Sequence, residues 1–274
     1  MRSRLAAGLI VALAAACAPS TSSPSGTALI AVDPAAPAVE LTIFAAASLK
    51  SALEAAADAY IAERDNVTLV LSTDSSSALE AKIEQGAPAD VFLSADTTNP
   101  RKLFDGGWAT ELPTAFAANL LTVIVPTGNP GGLASPADLA KDGVDVIAAG
   151  EEVPITKYAT QLLKNMGGLP GYPPEFEAAY AANVVSREEN VKAVVAKIEL
   201  GQGDAAIVYV TDAKASSGVV ALDVPTDANV LATYAGVVVK ASKAPEAARE
   251  FLTWFSGPEG RAILVRFGFQ QPPG

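Results

Sequence analysis

Histidine is missing from all 274 residues, and cysteine occurs once, at Cys17. Without an imidazole there is no Ser-His-Asp triad, and the commonest zinc ligand and neutral-pH general base are gone. A single cysteine rules out an intrachain disulfide. Aromatic residues make up 6% and charged residues 18%, and 19 basic side chains face 30 acidic ones, for a formal charge of −11. No basic stripe interrupts this acidity, so the chain is a poor nucleic-acid binder. Any anion it holds must be held by local dipoles against an unfavourable overall field. A long apolar run is also lacking, since Leu5–Ala16 is too short to span a bilayer.

What is present begins with that short run. Arg2 and Arg4 precede it and Cys17 ends it, the pattern of an export signal over residues 1–17. A cysteine after small residues resembles the lipobox of bacterial lipoproteins, although Leu13 lies four residues before Cys17 and Ala14 holds the usual leucine position. Cys17 is expected to be lipidated, anchoring the protein to the outer face of the cytoplasmic membrane. The alternative is cleavage after Ala16, which leaves a free thiol. Residues 18–39, rich in Ser, Thr, Pro and Ala, suit a flexible tether. Loss of Arg2 and Arg4 from the 19 basic residues takes the formal charge from −11 to −13.

From residue 40 strand and helix patterns alternate. Strands are expected at 41–44, 67–71, 91–93, 120–125, 144–148, 184–185, 205–210 and 237–239. Helices are expected at 48–64, 78–85, 100–104, 136–141 capped by Ser135, 156–166, 175–181, 188–200, 245–256 and 258–267. Residues 213–235 show no clear pattern. The alternation predicts an α/β protein with mainly parallel sheets covered on both faces. No Pro/Ser tract or charge run divides residues 40–274, which favours lobes joined by crossing strands.

Two serine clusters sit where strands end and helices begin: Ala45-Ala46-Ala47-Ser48-Leu49 and Ser75-Ser76-Ser77. A helix start offers unpaired N–H groups and a partial positive charge, and serine adds hydroxyl donors. Two such ends facing each other would hold an anion with no cationic side chain. Ser48 alone could equally cap its helix, and Ser75 and Ser77 read as cap and loop residues. Asp90 and Asp96 read as structural, Lys157 as a solvated first-turn residue, and Trp108 and Trp254 as packing.

Phe44-Ala45-Ala46-Ala47-Ser48-Leu49, Ser75-Ser76-Ser77-Ala78-Leu79, Gly86-Ala87-Pro88-Ala89-Asp90-Val91-Phe92 and Ser94-Ala95-Asp96 together resemble the molybdate-binding proteins of ABC importers. Val153-Pro154, Asn190-Val191 and Ile207-Val208-Tyr209 continue the resemblance in the same order, over essentially all of 40–274. It implies a two-lobed periplasmic-binding-protein type II fold, with residues 40–119 and 233–274 in one lobe and 120–232 in the other. It also implies an oxyanion held by the hydroxyls of Ser48, Ser76 and Tyr209 and the backbone N–H groups of Ile155 and Val191. Ile155 departs from the small residue common there, and its bulk would narrow the pocket. The resemblance further implies molybdate or tungstate as ligand, no cofactor and no direct protein–metal bond. The expected partners are an importer permease and its ATPase, met by a monomer. A binder of another tetrahedral oxyanion such as sulfate is the alternative. A serine hydrolase would need an unusual Ser-Lys dyad, because no Ser-x-x-Lys pair occurs.

Overall fold

The computed structural model describes residues 37–273. The export segment, Cys17 and residues 18–36 of the expected tether lie outside the described residues. The fold opens with β1 (Val39–Ala46), a 3-10 turn over Ala47–Leu49 and α1 (Lys50–Ile61). Then come β2 (Val67–Asp74), α2 (Ser76–Glu84), β3 (Val91–Ser94), α3 (Thr98–Asp105) and β4 (Thr114–Asn119). Leu120 leads directly into β5 (Leu121–Pro126), followed by β6 (Val146–Ala149), α4 (Pro154–Gly167), α5 (Phe176–Ala182), β7 (Val184–Glu188) and α6 (Val191–Glu199). The remainder is β8 (Ala206–Tyr209), α7 (Val210–Lys214), β9 (Val219–Leu222), β10 (Ala232–Val238), α8 (Pro245–Ser256) and α9 (Pro258–Arg266).

One five-stranded sheet has the order β2-β1-β3-β10-β4. β1 pairs in parallel with β2 and β3, whereas β10 lies antiparallel to both β3 and β4. The other strands repeat this plan. β7 and β6 pair in parallel, a parallel bridge from Val146 to Ala205 leads to β8, and β5 lies antiparallel between β8 and β9. In each set one strand therefore opposes the direction of the rest. Those two strands, β5 and β10, are the ones the chain enters on passing from one set to the other. The expected parallel character holds for strand direction, but half of the pairings in the five-stranded sheet are antiparallel. A crossing strand that comes straight from the other sheet has no helix to reverse its direction.

Burial explains which runs sit where. β3, β5, β6 and β8 are buried along their whole length and are central strands. The outer strands β2 and β7 are only partly buried, with exposed positions alternating along them. The expected single strand over 120–125 proves to be the second of two: β4 precedes it in the other sheet, and the break falls at Leu120. Thr114–Asn119 is alanine-rich and carries weak strand propensity, so only its pairing with β10 makes it a strand. Residues 213–235 resolve into the end of α7, β9, a 3-10 turn and the start of β10. Between α1 and α8, Tyr60 meets Phe251 and Trp254 edge-to-face, and Phe251 stacks on Phe255. Phe116, Tyr234 and Phe269 carry it towards the junction of the two sheets.

Candidate functional site

β1, β2 and β3 in one sheet and β6, β7 and β8 in the other strand set point their C-terminal ends at one cavity, of about 220 Å3 including its open side. Ala46 ends β1 and Ala47 and Ser48 follow it, Ser75 and Ser76 follow β2, and Ala95 follows β3. Across from them stand Val153, Pro154 and Ile155 beyond β6, Asn190 and Val191 beyond β7, and Tyr209 at the end of β8. Ligands of open α/β sheets bind at this edge. Ser48, Ser76, Ile155, Val191 and Tyr209, all expected from the sequence, line the same cavity.

Each hydroxyl is oriented by its neighbours. Ser76 Oγ accepts the Ala95 N–H at 3.0 Å, which uses the oxygen and leaves the hydroxyl proton to donate elsewhere. Ser48 caps nothing, because the helix start there has no side-chain cap bond. Instead its Oγ lies 2.9 Å from Tyr234 Oη, in a buried bond where either oxygen can donate. When Ser48 donates to a ligand, Tyr234 becomes the donor, and Asn119 Nδ2 at 3.5 Å supports the phenol oxygen in turn. Tyr209 is 1% exposed and its Oη has no hydrogen-bond partner among the described residues. A buried polar group left unpaired costs about 1–3 kcal/mol, so this phenol is a donor awaiting an acceptor. Burial, joined by the charge of Asp212, holds Tyr234 well above the ordinary phenol pKa, and burial does the same for Tyr209. Both remain O–H donors at any physiological pH.

Backbone donors complete the set. Ser75 is the N-cap of α2, its Oγ accepting the Ala78 N–H at 3.3 Å. Val153 precedes α4 with Pro154 in its first turn, and Asn190 caps α6 by accepting the Ala193 N–H at 3.1 Å. The N–H groups of Ile155 and Val191 fall in the first turns of α4 and α6, where no intrahelical acceptor exists. Ile155 belongs to the main hydrophobic core, which takes up its bulk, and it also lines the cavity. Asn190 also links the two sheets, its Nδ2 donating to Asp74 Oδ1 at the end of β2 at 3.4 Å. Asn190→Ala is expected to cost about 0.5–2 kcal/mol of stability through loss of the cap, measurable by urea denaturation.

Among the described residues, no lysine, arginine, aspartate or glutamate lines the cavity. Lys157 Nζ instead donates to Thr98 Oγ1 at 3.1 Å on the exposed side. Asp90 accepts the Thr42 N–H at 2.7 Å and the Ser242 hydroxyl at 2.6 Å, tying β1 to the segment after β10. Asp96 accepts from Ser94 Oγ and from the backbone and side chain of Asn99. Both aspartates are structural, as the sequence suggests. Trp254 packs edge-on against Tyr60 and Trp108 against the smaller core cluster. A site made only of neutral donors can hold an anion and offers no group to take a proton from serine.

The chain matches the family of bacterial extracellular solute-binding proteins over residues 41–270. It belongs to that family. Among solute-binding proteins it is 33% identical to the molybdate-binding protein ModA of Mycobacterium tuberculosis over 271 residues, which covers 98% of this chain and 97% of the relative. It is 30% identical to ModA of Escherichia coli over 242 residues, covering 84% of this chain and 88% of that one. The periplasmic molybdate-binding protein of Azotobacter vinelandii shares the fold, with a TM-score of 0.71 at 24% identity over 85% of this chain and all of the other. Solute-binding proteins of this kind are extracytoplasmic and are not enzymes, so the serine-hydrolase alternative falls.

Sequence reasoning missed Tyr234, which supports Ser48 from the end of the segment with no readable pattern. It also missed the second role of Asn190, although an asparagine before a helical run is a legible cap signal.

Proposed function

We propose that this solute-binding protein captures molybdate, and also tungstate, and delivers it to the permease and ATPase of an ABC importer. The observation that carries this reading is that Ser48, Ser76, Ile155, Val191 and Tyr209 line one cavity, and that the buried Tyr209 hydroxyl has no partner among the described residues. Near-full-length identity to molybdate-binding relatives supports the choice of anion. A tetrahedral dianion accepts at every oxygen, which is what a shell of donors can satisfy. Hydrogen phosphate carries an O–H that would find no acceptor there. With hydrogen bonds to charge worth roughly 1.5–3 kcal/mol each, such a shell reaches micromolar to nanomolar affinity after the costs of ordering and closure.

The two lobes of this reading are residues 40–119 with 233–274, and 120–232. They are hinged where the chain crosses from β4 to β5 and from β9 to β10, and they close on the anion. The permease reads the closed form. The protein acts as a monomer, since one chain supplies the whole donor set, and a lipid on Cys17 with the 18–39 tether holds it at the outer face of the membrane.

Calorimetric titration of the protein with molybdate, tungstate, sulfate and phosphate tests this. Molybdate and tungstate are expected to bind with micromolar or tighter Kd, sulfate more weakly, and phosphate without measurable heat. A flat molybdate titration overturns the reading.

A further inference from the structure

A second cavity adjoins the first and shares Ser48 with it. It is larger, about 740 Å3 including open solvent, and runs between Ser51 and Ala52 of α1, Lys192 of α6, Thr211 and Lys214 of α7, and the chain from Arg266 to Phe269. Three cations and no carboxylate line it, in a chain where acidic residues outnumber basic ones by 30 to 19. Lys192 Nζ lies 2.9 Å from the buried Asp212 carboxylate, which neutralises and fixes it. Lys214 and Arg266 have no carboxylate oxygen within 4.0 Å among the described residues. Lys214 reaches across from α7 to the turn after α9, where its Nζ is 3.0 Å from the position a Cβ on Gly268 would take. Thr211 Oγ1 accepts from Asn119 Nδ2 at 2.8 Å, so its own proton is available.

We propose that this basic groove is an anion vestibule, a weak site that gathers oxyanions from solution and passes them over Ser48 into the closed cavity. The inference rests on the proposed function above and adds the route and the source of attraction. The binding cavity holds no cation, and the whole molecule carries net negative charge, so a dianion approaching from afar is repelled. A cluster of unpaired positive charge in a low-dielectric cleft reverses that field locally. Segments from both sheets wall the groove, so it lies on the boundary that opens when the halves part.

The test compares the wild-type protein with Lys214→Gln, Arg266→Gln and the double variant, using Lys164→Gln as a control. Lys164 is an exposed cation near the end of α4, so its loss changes the net charge as much as each single variant does without touching the groove. Kd for molybdate comes from calorimetry and koff from chase of bound radiolabelled molybdate, and the ratio koff/Kd gives kon. At low salt the double variant is expected to lose about tenfold in kon, with koff unchanged and each single variant intermediate. The difference should fade towards 1 M salt, where the screening length is about 3 Å, while Lys164→Gln stays at the wild-type value. Unchanged kon in the double variant, or an equal loss in Lys164→Gln, overturns the vestibule while the binding site stands. Absence of molybdate binding by the wild-type protein overturns both. If the double variant does not fold, the single variants decide by the same criterion.

Discussion

Ser76→Ala is expected to weaken molybdate binding and destabilise the ligand-free protein together. The serine oxygen accepts the buried Ala95 N–H at 3.0 Å, and its proton is the one offered to the ligand. Alanine removes the donor, costing roughly 1.5–3 kcal/mol of binding for a hydrogen bond to charge, or about 10- to 150-fold in Kd. It also strands the Ala95 N–H away from water, which costs about 1–3 kcal/mol of folding free energy. For a domain of this size that lowers Tm by several degrees, at about 2–4 °C per kcal/mol. Calorimetry and thermal unfolding without ligand read the two effects separately. An unchanged Kd would remove Ser76 from the binding shell, whatever happened to Tm.

Tyr209→Phe should move the same two quantities in opposite directions. The phenol is buried at the end of β8 with no partner for its oxygen, so the ligand-free protein bears the desolvation cost. Phenylalanine keeps the ring, its edge-on contact with Tyr234 at 5.6 Å and its place in the core. The ligand-free variant is therefore expected to be about 1 kcal/mol more stable than wild type, while molybdate binding weakens by roughly 1.5–3 kcal/mol. A gain in ligand-free Tm with a loss of ligand-induced Tm shift is the signature of a group held for the ligand at the expense of the fold. If Phe lowered ligand-free stability, or left Kd untouched, Tyr209 would be an ordinary core residue.

Much of this architecture is legible in the chain. The alternation of apolar strand runs with helical periodicity sets the α/β class, because period two and period 3.6 bury different sides of the backbone. Serines after the first two strands mark where donors collect, since strand ends that feed helices expose unpaired N–H groups. Ser75 as a cap and Asp96 as a loop anchor follow from local chemistry too, because their bonds span only two or three residues, whereas the partners of Asp90 lie 48 and 152 residues away. The crossing at Leu120 is not legible, since an apolar run reads the same whether it stays in one sheet or changes to another.

Local sequence determined that the chain would be α/β, that it would lack a general base of the histidine kind, and that neutral donors would gather at strand ends. Tertiary structure alone decided that Tyr234, 186 residues from Ser48, would orient its hydroxyl. It also decided that Ser76 would spend its oxygen on Ala95 and that Tyr209 would be left unpaired. Those are properties of contacts between distant segments, and a hydroxyl's free proton is known only once every neighbour that could take it has been placed.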